Sequence, residues 1–430
     1  KKKCMNDIKN IKLNEKDISK LSINLINSKQ YHKAEFILLN SIKKITNSHF
    51  LFNHLGYLYF ETGQLEKCIK YYELSLKIEK KNREAYCNLG TAYLFKNEYI
   101  LSKKIFEQGL KILPNNENIL IAYSQLLFAT KDTKEAFRTF ESRKRTRGYR
   151  MLLDNLKMDE WKGEDLNGKS ILIISEQGIG DIIQFSRYIF ELKKRFDVKI
   201  IFKVRKKLHH LFNNFEIKLI GPEDPLLDTD YYQCLMTLPA IFYELENKLI
   251  SNYNFIKCEN KLLNYWSKKL NHITGYKIGL CWQGDPNYGR DFMRSIPLKK
   301  FEKLFLIPNL NFINFTKGAG QEQLKNFKFK EKIYDFSNEL DNGNNSFEDS
   351  IALLKNIDLL ITADTAVGHV ASTMDVKTWL LLDYSADWRW HAQTNNFCWY
   401  NNLKFFRQKK FNVWDDIIDD IAIKLENLKL

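Results

Sequence analysis

The stretch Ser170-Ile-Leu-Ile-Ile-Ser-Glu-Gln-Gly-Ile-Gly-Asp181 decides the fold of the larger part of the chain. Its first half is a short, continuous run of apolar and β-branched residues, typical of a strand that is buried on both faces of a parallel sheet. Two glycines follow, and residues 182–195 then carry Phe185, Tyr188 and Leu192 at helical spacing. The order strand, glycine turn, helix predicts one βα unit.

More strands of the same kind follow along the chain. The first series continues with strands predicted at 198–204, 217–220 and 234–238. After a polar helix at 262–271, a second series has a helix at 347–355 and strands predicted at 276–282, 311–315, 333–336, 358–362 and 378–382. Alternating β and α elements twice over imply two doubly wound parallel sheets. Ligands of such sheets bind beyond the carboxyl ends of the strands, so the loops that follow the strands should line one cleft.

On the N-terminal side the sequence repeats with a period of 34 residues. Two rows match in size class at this interval: Leu55, Gly56, Tyr59, Gly63, Cys68, Tyr72 and Ser75, and then Leu89, Gly90, Tyr93, Asn97, Ser102, Phe106 and Gly109. The same offset, applied once more in each direction, predicts four repeats over residues 15–150. Small residues at the eighth and twentieth positions let two antiparallel helices approach closely, and larger ones fill the seam between them. The pattern resembles the tetratricopeptide repeat and predicts an all-α solenoid.

A polar connection that contains glycine, residues 161–169, separates the two patterns. The sequence therefore predicts a multidomain chain. Tetratricopeptide repeats at 15–150 are followed by a first Rossmann-like lobe at 169–272 and a second at 275–408. A C-terminal helix at 411–430 is predicted to pack back on the lobes.

Composition narrows the class of protein. The chain has 67 Lys and Arg against 52 Asp and Glu, a net charge of +15, and the basic residues are spread over its whole length. We interpret this as a general bias of solvated faces and predict no nucleic-acid partner. Seven dispersed cysteines without metal-ligand spacing indicate reduced thiols. No stretch reaches the roughly 18 apolar residues of a membrane span, so a soluble, cytoplasmic protein is predicted.

Five sequence blocks carry a resemblance to a known family. They are Glu176-Gln-Gly-Ile-Gly-Asp-Ile-Ile-Gln-Phe185, Gly279-Leu-Cys-Trp-Gln-Gly284 with Arg294-Ser-Ile-Pro297, Lys317-Gly318, Asp364-Thr-Ala-Val-Gly-His369 and Asp387-Trp-Arg-Trp390. Together, and in this order, they resemble the bacterial tetratricopeptide-repeat glycosyltransferases, relatives of lipopolysaccharide heptosyltransferases and, more distantly, of O-GlcNAc transferase. The resemblance implies the GT-B architecture, in which the second lobe binds most of the nucleotide-sugar donor and the first most of the acceptor.

This sequence departs from those relatives in two ways. Ala366 stands where heptosyltransferases commonly have a glycine. No counterpart is found for the histidines implicated in O-GlcNAc transferase. The identity of the donor is therefore not carried over from the family.

Asp181 is the candidate catalytic residue. The resemblance implies that it is the general base, a carboxylate within hydrogen-bond reach of the acceptor hydroxyl that it deprotonates. The alternative is an aspartate that only complements the dipole of the helix that follows. Gly178 and Gly180 are predicted to permit a tight turn and close approach of the ligand.

The predicted donor site lies on the second lobe. Lys317 would place an ammonium where the leaving nucleoside diphosphate gains charge, although a solvated loop lysine has the same sequence pattern. Asp364 and Thr365 begin a helix after a strand and can hold phosphate at its N-terminus, but an ordinary N-cap looks identical. His369 either bonds phosphate or packs in the core.

Further candidates complete or limit the site. Gln283, and Arg294 on a loop predicted to be flexible, are additional donor ligands. Asp228-Thr-Asp230 matches the motif that binds a divalent cation in the other large glycosyltransferase fold, but chance is the better explanation of two carboxylates. No metal and no cofactor are predicted. Ile183 stands where a dinucleotide fingerprint needs its third glycine, and Trp388 to Trp390 are predicted to pack between the lobes.

The combined prediction is an inverting, metal-independent glycosyltransferase that moves a sugar from a nucleotide sugar to a protein acceptor recruited by the repeats. Flagellin or another surface protein is an acceptor that the resemblance suggests. Three alternatives stay open. The chain is a non-catalytic repeat scaffold with a degenerate transferase region, since fold alone does not determine chemistry; it acts on a lipid-linked glycan; or its repeats serve to form a homodimer.

Overall fold

The computed structural model describes residues 14–251, 253–385, 387–390 and 399–428. They divide into two compact units. The first runs to Asp154 and includes the short segment that begins at Asp387, and the second begins at Asn155 and contains the rest. None of the described helices is both long enough and apolar enough to cross a membrane.

The first unit consists of helix pairs. They are α1 (Glu15–Asn27) with α2 (Tyr31–Ile42), α3 (His49–Glu61) with α4 (Leu65–Ile78), α5 (Arg83–Phe95) with α6 (Tyr99–Ile112), and α7 (Glu117–Ala129) with α8 (Thr133–Phe140). The first helices begin at 15, 49, 83 and 117, so that each starts 34 residues after the last. A 3-10 turn at Glu141–Arg145 and helix α9 (Arg147–Leu153) follow. The prediction of four helical repeats is confirmed.

Local interactions explain where these helices begin and how the chain turns between paired helices. The side chain of the residue before each first helix accepts a backbone N–H three residues on, at 2.9 to 3.2 Å, and these caps are Asn14, Ser48, Asn82 and Asn116. One residue in each turn between paired helices has a positive φ: Lys29, Gly63, Asn97 and Lys131. Caps and turns therefore recur at the same offset as the apolar residues.

Close helix packing explains the small residues. A Cβ added at Gly56 would lie 2.5 Å from the ring of Tyr72, and one added at Gly90 would lie 2.5 Å from the ring of Phe106. The twentieth positions are fully buried, and their residues are Ala34, Cys68, Ser102 and Ala136. The size pattern in the sequence is therefore the contact surface within each pair.

A short segment from the C-terminal half, which contains Trp388 and Trp390, belongs to this unit. Trp388 stacks on Phe128 with ring centroids 4.2 Å apart, and its ring lies 6.5 Å from that of Phe140. The prediction that Trp388 packs between the two lobes is wrong. The sequence shows that this residue is apolar but not which surface it covers. Here Trp388 packs on the apolar face of the fourth repeat.

The second unit contains two sheets, and all of their strands are parallel. The first sheet has the order β1-β5-β2-β3-β4, formed by β1 (Asp159–Glu160), β2 (Ser170–Ile174), β3 (Lys199–Lys203), β4 (Lys218–Ile220) and β5 (Tyr231–Cys234). Its helices are α10 (Ile179–Phe185), α11 (Arg187–Arg195) and α12 (Leu238–Glu246).

Two details of this sheet differ from the sequence prediction. The helix predicted at 182–195 is two helices, α10 and α11, which meet at Ser186. The strand predicted at 234–238 ends at Cys234 and gives way to a 3-10 turn. Pro239, at the start of α12, lacks the N–H that a strand ladder needs and favours a helix start, so the apolar run ends the strand earlier.

The second sheet has the order β11-β10-β9-β6-β7-β8. Helix α13 (Asn260–Leu270) precedes it, and its strands are β6 (Tyr276–Cys281), β7 (Leu310–Asn314), β8 (Ile333–Tyr334), β9 (Leu359–Ala363), β10 (Thr378–Leu382) and β11 (Leu403–Arg407). Its helices are α14 (Asp291–Arg294), α15 (Glu348–Leu354), α16 (Ala366–Thr373) and α17 (Asp415–Glu426). Helix α17 packs Ile417, Ile418 and Ile421 into the core of this sheet beside Phe301.

The strand order of the second sheet reverses between β6 and β9. Strands β6, β7 and β8 run outward to one side, and β9, β10 and β11 run to the other. A crevice opens at such a switch point, beyond the carboxyl ends of the two central strands. The first sheet has the same arrangement between β2 and β5. The prediction of two doubly wound sheets is confirmed.

Candidate active site

The loops that follow β6 and β7 meet beside the switch point of the second sheet. The indole N–H of Trp282 donates to the carbonyl of Gly320 at 3.1 Å. Gly320 has a φ of +91°, and a Cβ there would lie 2.8 Å from the side chain of Gln283. The Gln283 amide oxygen in turn accepts from Gln323 at 3.3 Å. The structure therefore places the predicted residue Gln283 between these two loops.

Arg294 connects the loop after β6 to the loop after β9. Its Nε donates to Asp291 at 3.1 Å and its Nη1 donates to the carbonyl of Asp364 at 2.8 Å, while its guanidinium lies 4.4 Å from the ring centroid of Tyr288. A Cβ at Gly284 would be 2.4 Å from Nη2. The expectation of a flexible loop is wrong at this residue, because Arg294 ends α14 and is held by Asp291 of the same helix and by Asp364 of the loop after β9.

Asp364 and Thr365 lie at the carboxyl end of β9. Asp364 is half-buried, and Thr365 is the N-cap residue of α16. The Thr365 hydroxyl lies 3.2 Å from that of Thr362 and 3.7 Å from Sγ of Cys281, and burial raises the pKa of that thiol. Thr365 thus turns its hydroxyl toward the ends of β9 and β6. In this geometry the groups that can bind an anion are the backbone N–H groups at the start of α16.

Lys317 follows β7 at the same edge of the sheet. Its ammonium donates to the carbonyls of Leu340 and Asp341, the latter at 3.0 Å, and to the amide oxygen of Asn342 at 3.1 Å. The structure therefore shows Lys317, a predicted phosphate ligand, hydrogen-bonded to the segment that precedes α15. A phosphate would have to replace at least one of these three acceptors, because an ammonium has three donors.

Asp181 lies in the first turn of α10, beyond the carboxyl end of β2. The backbone N–H of Gly178 donates to Asp181 Oδ2 at 2.9 Å, so the carboxylate is held in a capping arrangement. The residue with positive φ in this turn is Gln177, at +68°, rather than a glycine. The sequence prediction that the glycines make the tight turn is therefore wrong for Gly178 and Gly180.

Gly180 has a different structural role. A Cβ at this position would lie 2.9 Å from Cδ2 of His369 and 3.8 Å from Cα of Ala366. Helix α10 of the first lobe and helix α16 of the second therefore touch at Gly180. Only a residue without a side chain fits there unless His369 moves.

His369 is a buried residue of this contact. Its Nδ1 lies 2.9 Å from the hydroxyl of Tyr400. Burial and the nearby charges of Arg187 and Arg294 lower the pKa of His369 to about 3. Since the imidazole is neutral at neutral pH, His369 brings no positive charge to a phosphate, and its packing role is the one that the structure supports.

Sequence reasoning missed Arg187. This fully buried arginine donates from Nε to the carbonyl of Gln184 at 2.6 Å and from Nη1 to the carbonyl of Trp399 at 2.5 Å, and it lies over the ring of Tyr400 at 4.6 Å. Arginine is almost never fully buried unless it is paired. On the predicted helix Arg187 lies opposite the apolar stripe of Phe185, Tyr188 and Leu192, so its helical position gave no sign that it is buried.

The Asp228-Thr-Asp230 motif lies at the opposite edge of the first sheet. Asp230 accepts from the backbone N–H and the hydroxyl of Ser170 at 2.8 and 2.7 Å, and these hydrogen bonds lower the pKa of Asp230. Ser170 is the first residue of β2, whereas Asp181 follows the other end of that strand. Among the residues with described positions, no group of three or more His, Cys, Asp or Glu side chains is arranged to hold a metal.

Comparison with known proteins divides along the same two units. The family model for the tetratricopeptide repeat matches residues 51–82 and 84–116, so the two central repeats of the first unit are tetratricopeptide repeats. Protein FlbA of Caulobacter vibrioides is 20% identical over 403 residues, which cover 88% of this chain and 67% of FlbA.

Two solved structures are similar to the α/β unit. A glycosyl transferase family 9 protein from Veillonella parvula has a TM-score of 0.43 and 11% identity, covering 62% of this chain and 92% of its own. The ADP-heptose lipopolysaccharide heptosyltransferase II of E. coli has a TM-score of 0.40 and 11% identity, covering 60% and 99%.

Proposed function

We propose that this chain is a glycosyltransferase that moves a sugar from a nucleoside-diphosphate donor to a hydroxyl group of a protein. The contact of Gly180 on α10 with His369 on α16 is the observation that supports this proposal best. It brings the helix that carries Asp181 against the helix that begins at the switch point of the second sheet. A carboxylate and an anion-binding helix end then belong to one junction between two lobes.

The donor diphosphate is proposed to bind at the switch point between β6 and β9. Arg294 is fixed there by Asp291 and by the carbonyl of Asp364, so its guanidinium is held in place before the ligand arrives. The first backbone N–H groups of a helix lack partners within the helix, and α16 begins beside this arginine. As the sugar–phosphate bond breaks, negative charge grows on the diphosphate, and these groups stabilise it.

Asp181 is proposed to be the general base. Gly178 fixes one carboxylate oxygen, which sets the direction of the side chain before the acceptor binds. The carboxylate then takes the proton of the acceptor hydroxyl as that oxygen attacks the anomeric carbon. Attack from the face opposite the diphosphate inverts the configuration of the sugar. No metal is assigned to a step in this scheme.

Lys317 is proposed to bind a donor phosphate oxygen after releasing part of the 340–342 segment. Its ammonium already lies at the carboxyl edge of β7, next to the loop that holds Gln283. Exchange of a carbonyl acceptor for a phosphate oxygen replaces a neutral acceptor with a charged one, and such hydrogen bonds are stronger. Donor binding is thus proposed to change the position of residues 340–342.

The transferase proposal is tested with the full chain and a panel of nucleotide sugars, with sugar transfer and donor hydrolysis measured together. At least one nucleoside-diphosphate sugar should be consumed. A panel in which none is bound or consumed would contradict the proposal and favour a non-catalytic scaffold.

The repeats are proposed to recruit the protein acceptor, because stacked helix pairs present a surface suited to peptides and helices. A chain that begins at Asn155 should bind the same nucleotide as the full chain but lose capture and glycosylation of the native protein acceptor. Equal glycosylation by the two forms would contradict recruitment by the repeats and leave the transferase proposal intact.

A further inference from the structure

A cavity of about 350 Å³ lies beside the start of α10 and is not used in the scheme above. Its lining residues are Ile179, Arg205, Lys206, Lys207, Leu208, Pro222, Glu223 and Ser346. Strands β2 and β3 are parallel neighbours, so the loops after them open at one edge of the sheet. Ile179 is two residues before Asp181. The cavity therefore lies on the acceptor side of the proposed reaction centre.

The cations of this cavity are not equivalent. Lys206 is paired with Asp224 at 2.7 Å, and its side chain packs so closely on Gly221 that a Cβ there would be 2.4 Å from Cε. Arg205 and Lys207 are exposed, and among the described residues neither has a side-chain hydrogen bond or ion pair. Lys206 therefore lines the cavity without offering a free charge, and Arg205 and Lys207 are available to a ligand.

The net charge of the residues that line the cavity indicates which kind of anion it can bind. With Lys206 neutralised by Asp224, two cations, Arg205 and Lys207, face one carboxylate, Glu223, which leaves a net charge of one positive unit. One positive unit matches a monoanionic carboxylate better than a dianionic phosphate. The remaining lining includes Ile179, Leu208 and Pro222, which suit the aliphatic part of an acidic side chain.

The second lobe reaches this cavity through the segment that also binds Lys317. The backbone N–H of Ser346 donates to the carbonyl of Lys207 at 2.9 Å, and the next residue, Phe347, has a φ of +69°. Residues 340–342 of the same segment accept from Lys317. Residues 340–346 therefore contact the cavity at one end, through Ser346. At the other end they contact Lys317 of the proposed donor site.

We propose that this cavity binds the carboxylate of an acidic residue in the acceptor polypeptide, close to the hydroxyl that Asp181 deprotonates. This inference rests on the proposed function and adds the acceptor class to it. The acceptor is then a serine or threonine with aspartate or glutamate nearby in sequence, and the bidentate guanidinium of Arg205 is its main contact.

The test uses the full chain and two labelled synthetic peptides with a central threonine, flanked by glutamates in one and by glutamines in the other. Fluorescence anisotropy without donor should show at least tenfold tighter binding of the glutamate peptide at low salt, and the difference should shrink as salt rises. The double variant Arg205→Gln/Lys207→Gln should remove the difference. Both side chains are exposed, so the fold should be unchanged by circular dichroism.

A matched control removes two positive charges elsewhere. Lys261 and Lys268 are exposed on α13, and the variant Lys261→Gln/Lys268→Gln has the same net charge as the test variant but should keep the preference. Equal binding of the two peptides, or an unchanged preference in the Arg205/Lys207 variant, would overturn the proposal. So would displacement of the glutamate peptide by inorganic phosphate but not by acetate, since the site would then be one for phosphate.

The peptide measurement is independent of turnover. If the chain binds the glutamate peptide through Arg205 and Lys207 but binds no nucleotide sugar, the proposed function fails and the peptide site stands. If it transfers sugar but shows no preference between peptides, the transferase stands and the peptide site fails.

Discussion

The two sheets of the second unit are both parallel and each has a switch point, but they hold opposite charges there. Beyond β6 and β9, Arg294 is fixed between a carboxylate and a backbone carbonyl. Beyond β2, the Asp181 carboxylate accepts the backbone N–H of Gly178. The fold thus supplies the same crevice twice, and the side chains on the following loops decide whether it suits an anion or a proton transfer. Substitutions on one side at a time should therefore affect either proton transfer or anion binding.

The largest effect is expected at the carboxylate. Asp181→Asn keeps the shape of the side chain, and its amide oxygen can still accept from Gly178, but the basicity is lost. Transfer should fall by about two to four orders of magnitude, the range expected for a positioned general base. The affinity for the nucleotide sugar, measured by calorimetry, should stay within a few-fold of the original. Turnover close to that of the unchanged protein would exclude Asp181 as the base.

A smaller effect, on binding, is expected at the cation of the second sheet. Lys317→Ala should weaken nucleoside-diphosphate binding by about 10- to 100-fold, the range for a lost charge-assisted hydrogen bond of about 1.5–3 kcal/mol. Lys325→Ala, an exposed lysine on the 3-10 helix that follows, is the matched control and should bind as before. If both variants bind the nucleotide like the original chain, Lys317 is a loop lysine held by residues 340–342.

The contact between the two sheets should respond to a single methyl group. Gly180→Ala places a Cβ 2.9 Å from the side chain of His369, so that side chain must shift or α10 and α16 must move apart. We expect kcat to fall about tenfold and the melting temperature to drop by a few degrees, because overpacking costs about 1–3 kcal/mol. In Gly148→Ala, at another helical glycine, the new Cβ meets no described atom within 4 Å, so this control should leave kcat unchanged and should not lower the melting temperature. An unchanged kcat in Gly180→Ala would mean that the α10–α16 contact does not matter for transfer.

The repeats and the two parallel sheets could be predicted because their signals are local. Caps, turns and small residues recur every 34 positions, as at Asn82 and Asn116, and each acts within its own helix pair. Continuous apolar runs likewise mark the central strands of both sheets. The parallel topology then places Gln283, Arg294 and Asp364 at one edge without knowledge of any distance.

Details that depend on distant partners could not be predicted. Arg187 is held by the carbonyl of Trp399, more than two hundred positions later, and nothing near Arg187 in sequence indicates that partner. The three acceptors on Lys317 and the inward direction of the Thr365 hydroxyl likewise depend on segments that folding brings together. Trp388 shows the same limit, since its apolar ring fits several surfaces. Sequence patterns therefore located the loops of the site but not the hydrogen bonds that orient its side chains.

The smallest effect concerns metal. Asp230, the second carboxylate of the Asp228-Thr-Asp230 motif, accepts two hydrogen bonds from Ser170 at the amino end of β2, and the candidate base follows the carboxyl end of that strand. A cation bound at Asp230 would therefore act across the whole length of the strand. We expect EDTA to leave the transfer rate unchanged within error, and Asp228→Asn to do the same, because that exposed side chain lies away from both crevices. The measurement is the initial transfer rate with and without chelator, followed by addition of magnesium or manganese. A rate that falls in EDTA and returns with the metal would overturn metal independence. If Asp228→Asn also lowered the rate, the cation would bind at this motif, and the protein would have a third charged site beside the two crevices.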